Sequence, residues 1–451
     1  MSTMDKLFKL LFSLLILTTG CTVQKMCYED VNLKLTEDFV LDSLRTIDIQ
    51  ELPSIEPENR TELFKGTSLM RKLWKVALSD IESNVVQTND GRYFGAGKNF
   101  GLRIYTRDIS FSGILGLNVL YPKEMLSSLK TSREVRLRLG LHVAKDYLVP
   151  GVGGDWVEES FDEKAYLKKY NTNSYTRRTD DVVWMWAIRD LFEKNEQLAE
   201  WQWLYEVGKE CFDKLYSPFY DELDGLYKGQ AAFIDIHFEQ SKATGYPQNF
   251  SIADCVSIKA LSTNCLYYEG LQTMAMTCRK IGRKVEGMEW EMRAKRLKDA
   301  IVSNLRFQDG TFSYFKHVNG ELESRRDALG SALAVITGIV KGKDAKVCLS
   351  NYSVTWAGVP LFQPFYPWEK SYHNNTAWPF VDTFFLWAKE LAEHKSYASQ
   401  NAALLARTCV KGGSFHEVVN WKTKEPGGSG RQLWSASAFV NVCLRAGWVA
   451  K

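Results

Sequence analysis

The sequence lacks most of the short motifs from which an enzyme class or a nucleic-acid-binding fold is recognised. Its 451 residues contain no HExxH zinc motif, no CxxC pair, no P-loop and no Gly-x-Ser-x-Gly nucleophile elbow. The six histidines are scattered, which argues against a metal site, and the sequence calls for no cofactor. A net charge of +3 is close to balance and no basic tract is interleaved with aromatic residues, which argues against nucleic acid as a partner.

Long hydrophobic runs are also lacking, since no stretch reaches the roughly 20 apolar residues that span a membrane. Residues 1–20 instead combine two lysines, a short apolar run and small residues before Cys21, which predicts a secretory signal. The arrangement resembles a bacterial lipobox, in which Cys21 becomes the lipidated N-terminus. We therefore expect an exported protein with a lipid anchor in the cell envelope; a cleaved signal without lipid is the alternative. The acidic, irregular residues 21–57 are expected to form a tether.

Aromatic residues, by contrast, are abundant, with 14 Trp, 20 Tyr and 24 Phe. Many of them must lie in a core. An excess of Trp also suits a carbohydrate partner, because indole faces stack on the apolar faces of sugar rings.

Apolar residues repeat with helical spacing over long stretches of residues 58–451, which we expect to form one domain. The pattern predicts twelve helices, at about 67–85, 107–120, 123–147, 180–194, 197–216, 264–282, 285–305, 326–340, 342–351, 376–394, 396–411 and 433–447. Helices that are apolar all round, which must be buried, alternate with amphipathic ones, which can lie outside. Six inner and six outer helices make an all-α (α/α)6 toroid, with short β pieces around 101–105, 226–236 and 311–316. An irregular α-solenoid is the alternative.

Two carboxylates stand in loops of this helical chain. Glu417 follows a pair of glycines and precedes the Gly-rich stretch 427–430. Asp235 ends an apolar extended run, where burial would raise its pKa as a general acid requires. An ion pair between Asp235 and an arginine of the toroid is the alternative. Two carboxylates on separate loops are what glycoside hydrolysis needs.

Other polar and aromatic residues cluster at the predicted junctions between helices. As ligands of a sugar we expect Arg107, Asp108, Asp181, Tyr372, His373, Asn374, Trp378 and Trp434. Trp faces would stack on the sugar ring, while charged groups and amides would bond its hydroxyls. Helix capping by Asp108 and burial of Trp378 remain open as structural alternatives.

The order of these clusters along the chain resembles the six-hairpin glycosidases, nearest glycoside hydrolase family 63 and the mannosylglycerate-hydrolase-like domain. The resemblance rests on Tyr105-Thr106-Arg107-Asp108, Thr179-Asp180-Asp181, Gly225-Leu226 leading to Asp235, Asn264-Cys265-Leu266-Tyr267-Tyr268, Tyr372-His373-Asn374 with Trp378-Pro379-Phe380, and Gln432-Leu433-Trp434-Ser435-Ala436. It implies an inverting hydrolysis of α-linked glucosides or mannosides, with Asp235 as the acid and Glu417 as the base. Two departures are Ile236-His237 after Asp235, where the family often has Trp, and a chain too short for an N-terminal β-sandwich.

Two other functions fit the same toroid. A polysaccharide lyase could use Tyr372 or His373 as base with Arg177 and Arg178 neutralising a uronate, and a glycoside phosphorylase would need phosphate. A glycan-binding lipoprotein without catalysis is the third possibility.

Overall fold

The structure, a computed structural model, describes residues 52–63, 65, 67–88, 91–100, 103–138, 147–148, 182–235, 245–250, 252–355, 357–367, 372–410, 413–421, 423 and 425–449. The predicted signal segment, Cys21, most of the tether, Asp181 and the two arginines at 177 and 178 lie outside these ranges. None of the described helices is both long and apolar enough to cross a bilayer.

The described helices follow the predicted boundaries closely. In chain order they are α1 (Ser68–Glu82), α2 (Thr106–Ser112), α3 (Asn118–Leu120), α4 (Pro122–Arg138), α5 (Val183–Lys194), α6 (Trp201–Glu210), α7 (Ile252–Ser257), α8 (Leu261–Lys280), α9 (Lys284–Leu305), α10 (Ala328–Ile336), α11 (Gly342–Leu349), α12 (Pro379–Glu393), α13 (Ala398–Val410) and α14 (Leu433–Arg445). Segments of π-helix, Gly113–Leu117 and Cys211–Tyr216, extend α2 and α6. The twelve predicted helices are thereby confirmed within the described residues, with α2 and α3 together forming the predicted helix 107–120. The short helix α7 was not predicted, and the description of the helix predicted at 123–147 ends at 138.

The inner helices form a closed ring. Helix α2 packs on α5, α5 on α8, α8 on α10, α10 on α12, α12 on α14, and α14 back on α2. The outer helices α1, α4, α6, α9, α11 and α13 pack against this ring. An antiparallel bridge between Leu63 and Val449 joins the two ends of the described chain. These contacts confirm the (α/α)6 toroid.

Burial explains why each helix lies where it does. Every residue of α14 from Leu433 to Leu444 is buried, as expected of a helix enclosed on all sides. In α9, by contrast, burial is confined to Gly287, Trp290, Ala294, Leu297, Ile301 and Leu305. That spacing of three or four residues marks one apolar stripe, so α9 turns its other faces to solvent.

Short strands lie where the chain enters the inner helices. They are β1 (Val85–Thr88), β2 (Gly91–Phe94), β3 (Arg103–Ile104), β4 (Tyr147–Leu148), β5 (Tyr220–Asp221), β6 (Leu226–Tyr227), β7 (Lys259–Ala260), β8 (Phe315–Lys316), β9 (Arg326–Asp327), β10 (Phe362–Gln363), β11 (Thr376–Ala377), β12 (Val418–Asn420) and β13 (Pro426–Gly427). All the paired strands are antiparallel, and β11, β12 and β13 form a three-stranded sheet. This sheet connects the loop before α12 to the loop before α14, and so brings two of the predicted site segments together.

Candidate active site

Glu417 directly precedes β12 and is 4% exposed. Its backbone N–H donates to the Ser429 carbonyl at 2.9 Å, and its Oε2 accepts from the Ser429 N–H at 3.0 Å. The carboxylate is therefore fixed by the opposite arm of its own β-hairpin. Ser429 was not singled out from the sequence, although the Gly-rich stretch that contains it was.

Gly428 makes this contact possible. Its φ is +71°, and a Cβ built on it would lie 2.3 Å from Glu417 Oε2. Any other residue would have to adopt left-handed backbone and push the carboxylate aside. The glycine therefore lets the backbone approach Glu417 closely.

If Glu417 is the predicted base, Gly428→Ala is expected to lower kcat by about a hundredfold, because an ångström-scale displacement of a catalytic group has an effect of that order. KM should change little. Gly282→Ala is the matched control, since Gly282 also has a positive φ, +82°, but nothing lies within 4 Å of its added Cβ. Both variants place a side chain on backbone with a positive φ, so both should lose thermal stability. Only Gly428→Ala should also displace the Glu417 carboxylate, and steady-state kinetics measures that effect. Equal kinetic losses in the two variants would contradict the role of Gly428.

Asp235 ends a loop that is fastened to the start of α8. The Ala232 N–H donates to Ser262 Oγ at 3.1 Å, and the Thr263 hydroxyl donates to the Gln230 carbonyl at 2.7 Å. The Tyr246 hydroxyl donates to the Ile234 carbonyl, one residue before Asp235, at 2.9 Å. Asp235 is thus carried on a rigid segment rather than on a loose surface loop.

Arg107, in the first turn of α2, connects Asp235 to the rest of the site. Its Nη1 lies 2.9 Å from Asp235 Oδ1, and its Nε lies 3.4 Å from Asp108 Oδ2. Its guanidinium also lies over the Trp434 ring, 5.6 Å from the centroid. The ion pair left open as an alternative for Asp235 is therefore present. Asp108 is 3% exposed, lies beside Arg107 and is not the cap of α2, whose N-cap position is Tyr105. Its contact with a sugar stays a prediction.

Tyr372 contacts the other carboxylate. Its hydroxyl donates to Glu417 Oε1 at 3.1 Å, and its carbonyl accepts from Trp378 Nε1 at 3.1 Å and from the Thr376 hydroxyl. Its φ of +119° is rare for a residue with a side chain. Strained backbone of this kind persists where surrounding contacts hold it, and it is concentrated at functional sites. Burial and the nearby carboxylates raise the pKa of Tyr372, so its hydroxyl stays protonated and remains a donor.

The charges of the site act on Glu417 in opposite directions. Burial raises the pKa of its carboxyl most, and the negative charge of Asp235 raises it further. The Ser429 N–H, the Tyr372 hydroxyl and the positive charge of Arg107 lower it. The net result is a raised pKa, so Glu417 holds its proton to a higher pH than an ordinary glutamate does.

Four of the predicted sugar ligands, His373, Asn374, Trp378 and Trp434, are buried, and their contact with a sugar stays a prediction. Asn374 is 0% exposed; its Oδ1 accepts from the Tyr366 N–H at 3.0 Å, and its Nδ2 donates to the Tyr366 carbonyl at 3.1 Å. This pair of bonds closes the loop 366–374. His373 is also 0% exposed, and its ring stacks on Trp378 with the planes 9° apart.

Trp378 and Trp434 are each 1% exposed, so neither offers the open face that stacking on a sugar requires. Trp434 is stacked on Phe380 with the ring centroids 4.3 Å apart, and Arg107 covers it as well. The sequence left open that Trp378 is buried instead of contacting a sugar, and the structure shows that it is buried. The two indoles also pack against each other, with their ring centroids 5.7 Å apart. The sequence shows that aromatic residues are concentrated here, but not which of their faces are already covered.

The fold is that of the six-hairpin toroids that are known among glycosidases. Neither protein-family models nor curated proteins match the chain, but solved structures do. The chain is 13% identical to a glycoside hydrolase family 78 rhamnosidase of Bacillus sp. GL1, with a TM-score of 0.57, covering 87% of this chain and 36% of that one. It is 14% identical to a family 63 mannosylglycerate hydrolase from Thermus thermophilus in complex with glucose, with a TM-score of 0.57, covering 82% of this chain and 99% of that one.

A further glycosidase, also solved in complex with glucose, is 14% identical with a TM-score of 0.56, covering 86% of this chain and all of that one. The chain thus spans about a third of the rhamnosidase but nearly the whole length of the other two. At these identities the likeness establishes the fold, which is the six-hairpin toroid that the sequence resemblance implies.

Proposed function

We propose that the protein is an inverting glycoside hydrolase that cleaves an α-linked sugar. The observation that carries the proposal is the convergence of Asp235 and Glu417. They come from loops before different inner helices, yet Arg107 and Tyr372 connect them into one charged cluster. The fold shared with known glycosidases supports the same function.

In this reaction Asp235 protonates the leaving oxygen while Glu417 takes a proton from the water that attacks the opposite face of the sugar. The two carboxyl groups of an inverting enzyme are roughly 6.5–9.5 Å apart, which leaves room for that water. The Ser429 N–H donates to Oε2 of Glu417 and the Tyr372 hydroxyl donates to Oε1, so each oxygen accepts one of these hydrogen bonds. These bonds orient the carboxylate, whose remaining lone pairs can accept from the water.

Arg107 imposes a condition on this assignment. Its ion pair favours the ionised form of Asp235, whereas a general acid must carry a proton. Sugar binding therefore has to draw Arg107 away from Asp235, for instance by offering it hydroxyl oxygens as acceptors. The opposite assignment, with Glu417 as the acid and Asp235 as the base, makes no such demand. Leaving-group dependence distinguishes the two assignments.

The similar solved structures suggest a class of substrate for this protein. They are a rhamnosidase, a mannosylglycerate hydrolase and a glycosidase with glucose bound. We propose an α-glucoside or α-mannoside, and the test is a panel of α-glucosides, α-mannosides, α-rhamnosides and α-galactosides with proton NMR of the first-formed anomer. A β anomer as first product from an α-glycoside supports inversion, and an α anomer contradicts it.

The same panel separates the alternative functions. A strict requirement for phosphate identifies a phosphorylase, and an unsaturated product absorbing in the ultraviolet identifies a lyase. Binding without turnover across the panel identifies a glycan-binding protein and contradicts the proposal.

We also propose that the protein is exported and anchored in the cell envelope by a lipid on Cys21. Cys21→Ser is expected to move the protein from the membrane fraction to the soluble exported fraction, since stable anchoring depends on the acyl chains. Detergent phase partition with acyl labelling measures this, and Cys27→Ser is the control, because it leaves the lipidation position intact. Membrane association that persists in Cys21→Ser would contradict the anchor.

A further inference from the structure

A buried carboxylate on the outer ring contacts the loop that carries Glu417. Asp80 belongs to α1, where it continues the apolar stripe of Leu73, Val76 and Ala77, and it is 3% exposed. Its Oδ2 accepts a hydrogen bond from the Phe415 N–H at 2.6 Å, across 335 positions of the chain. An acid at a core position of an amphipathic helix needs such a partner. The sequence contained this signal, an Asp within an apolar stripe, but gave no partner for it.

Phe415 lies two residues before Glu417, and both its backbone N–H and its backbone carbonyl are hydrogen-bonded. Its N–H donates to Asp80, while its carbonyl accepts from the Gln432 N–H at 2.9 Å. Its side chain is fully buried and packs against Phe439 of α14, with the ring centroids 5.4 Å apart. Asp80 thereby fixes the arm of the hairpin that leads into the catalytic residue.

The same end of α1 also holds the returning arm. Asn84, which follows the helix, donates from Nδ2 to the Arg431 carbonyl at 2.7 Å and to the Asp80 carbonyl at 2.7 Å. Arg431 has a φ of +49°, so the backbone there is strained and depends on such contacts. Two side chains of one helix end therefore clamp both arms of the hairpin, 413–417 and 428–432.

We propose that Asp80 is a positioning residue for Glu417: by holding the Phe415 N–H it sets the position and orientation of the Glu417 carboxylate. The proposal rests on the function proposed above for Glu417. Asp80 itself touches neither substrate nor reacting atoms. It acts by restricting the movement of the loop that carries Glu417. An ångström-scale displacement of a catalytic group lowers rates strongly.

The charge of Asp80 makes this positioning dependent on pH. Burial raises its pKa to about 7, while the Phe415 N–H and the positive charge of Arg431 lower it. The Cys409 thiol of α13 also lies within its field. Ionised Asp80 is the stronger acceptor for the Phe415 N–H, so the loop is held more firmly as pH rises through about 7.

Stability responds in the opposite direction. A carboxyl with a raised pKa binds its proton more tightly in the folded chain than in the unfolded one. Its contribution to stability is complete below the ordinary pKa of 3.8 and is lost as pH rises through about 7. Asp80→Asn should remove this loss of stability at higher pH, and its amide oxygen can still accept from the Phe415 N–H.

The test compares Asp80→Ala and Asp80→Asn with the same changes at Asp382. Asp382 is a matched control: it is 2% exposed, its pKa is raised to about 8 by burial, and it accepts one backbone N–H, from Val359 at 2.7 Å. Hydrogen exchange of the segments 413–417 and 428–432 measures the positioning directly, without reference to activity. Steady-state kinetics on a cleaved glycoside measures its consequence.

In Asp80→Ala we expect the Phe415 amide to exchange about tenfold faster or more, the effect of losing a hydrogen bond to a charged acceptor. The kcat should fall by about 10- to 100-fold with KM changed by less than about twofold. Asp80→Asn should restore most of the kcat and remove the component of the pH–kcat profile centred near 7. The Asp382 variants should lose stability only and keep that component.

Unchanged exchange of the 413–417 segment in Asp80→Ala overturns the proposal, as does a kcat loss of equal size in Asp382→Ala. Faster exchange without any change of kcat in an active enzyme also overturns it. If the wild type cleaves none of the glycosides, the proposed function fails by itself, and hydrogen exchange still decides whether Asp80 fixes the loop. Should Asp80→Ala not fold, Asn84→Ala provides the second variant, because it releases the other arm at Arg431.

Discussion

Asp235→Asn is expected to lower kcat by about 10²–10⁴-fold on glycosides whose leaving group needs a proton, because general acid catalysis contributes on that order. On a glycoside with a strongly activated leaving group, such as a dinitrophenyl glycoside or a glycosyl fluoride, the loss should be far smaller. That leaving group departs as an anion and needs no acid. The amide keeps one oxygen for Arg107, so the fold should survive the change.

The two classes of substrate serve as each other's control, since both depend on the same Glu417 and the same fold. Equal losses on both classes would place Asp235 in the role of base, and near-wild-type activity on both would remove it from catalysis. In the first case Arg107, whose Nη1 lies 2.9 Å from Asp235 Oδ1, would be the cation paired with the base. The experiment therefore decides whether the resemblance or the ion pair assigns the roles.

Glu417→Gln is expected to lower kcat by about 10²–10⁴-fold on activated and unactivated glycosides alike, because a base is needed whatever leaves. A small anionic nucleophile such as azide should restore turnover and give a glycosyl azide of inverted configuration, since an anion attacks without a base. Gln is nearly isosteric, and its oxygen can accept from Ser429 or Tyr372. Rescue by activated leaving groups instead of by azide would make Glu417 the acid.

The dependence of kcat/KM on pH is a second test of the role of Glu417. As a base it must be ionised, and its pKa is raised, so kcat/KM should rise with pH through a value above the ordinary 4.5. In the folded chain the raised pKa means that the contribution of Glu417 to stability is lost as pH rises through it. Glu417→Gln should therefore melt at a higher temperature than the wild type at alkaline pH. A lower melting temperature would mean that the ionised carboxylate is stabilised in the fold and that burial does not govern its pKa.

Local patterns in the sequence determined the helices and their arrangement. The twelve helices were predictable because burial imposes the 3.6-residue period on the chain locally, and apolar helices such as α5 and α14 had to be the inner ones. The glycine-flanked position of Glu417 was likewise visible, because Gly marks backbone that other residues cannot adopt. Each of these signals lies within about twenty residues of the feature it predicts.

Contacts between distant parts of the chain determine which side chains are exposed and which partners they have, so local patterns could not predict either. His373, Asn374, Trp378 and Trp434 have the composition of a sugar subsite, yet all four are at most 1% exposed, because neighbouring loops and helices cover them. The pairing of Arg107 with Asp235 spans 128 positions, and that of Asp80 with Phe415 spans 335. A local pattern carries no information about such contacts. They form when closure of the toroid brings distant loops together, and that closure determines the charges and burial on which the pKa values depend.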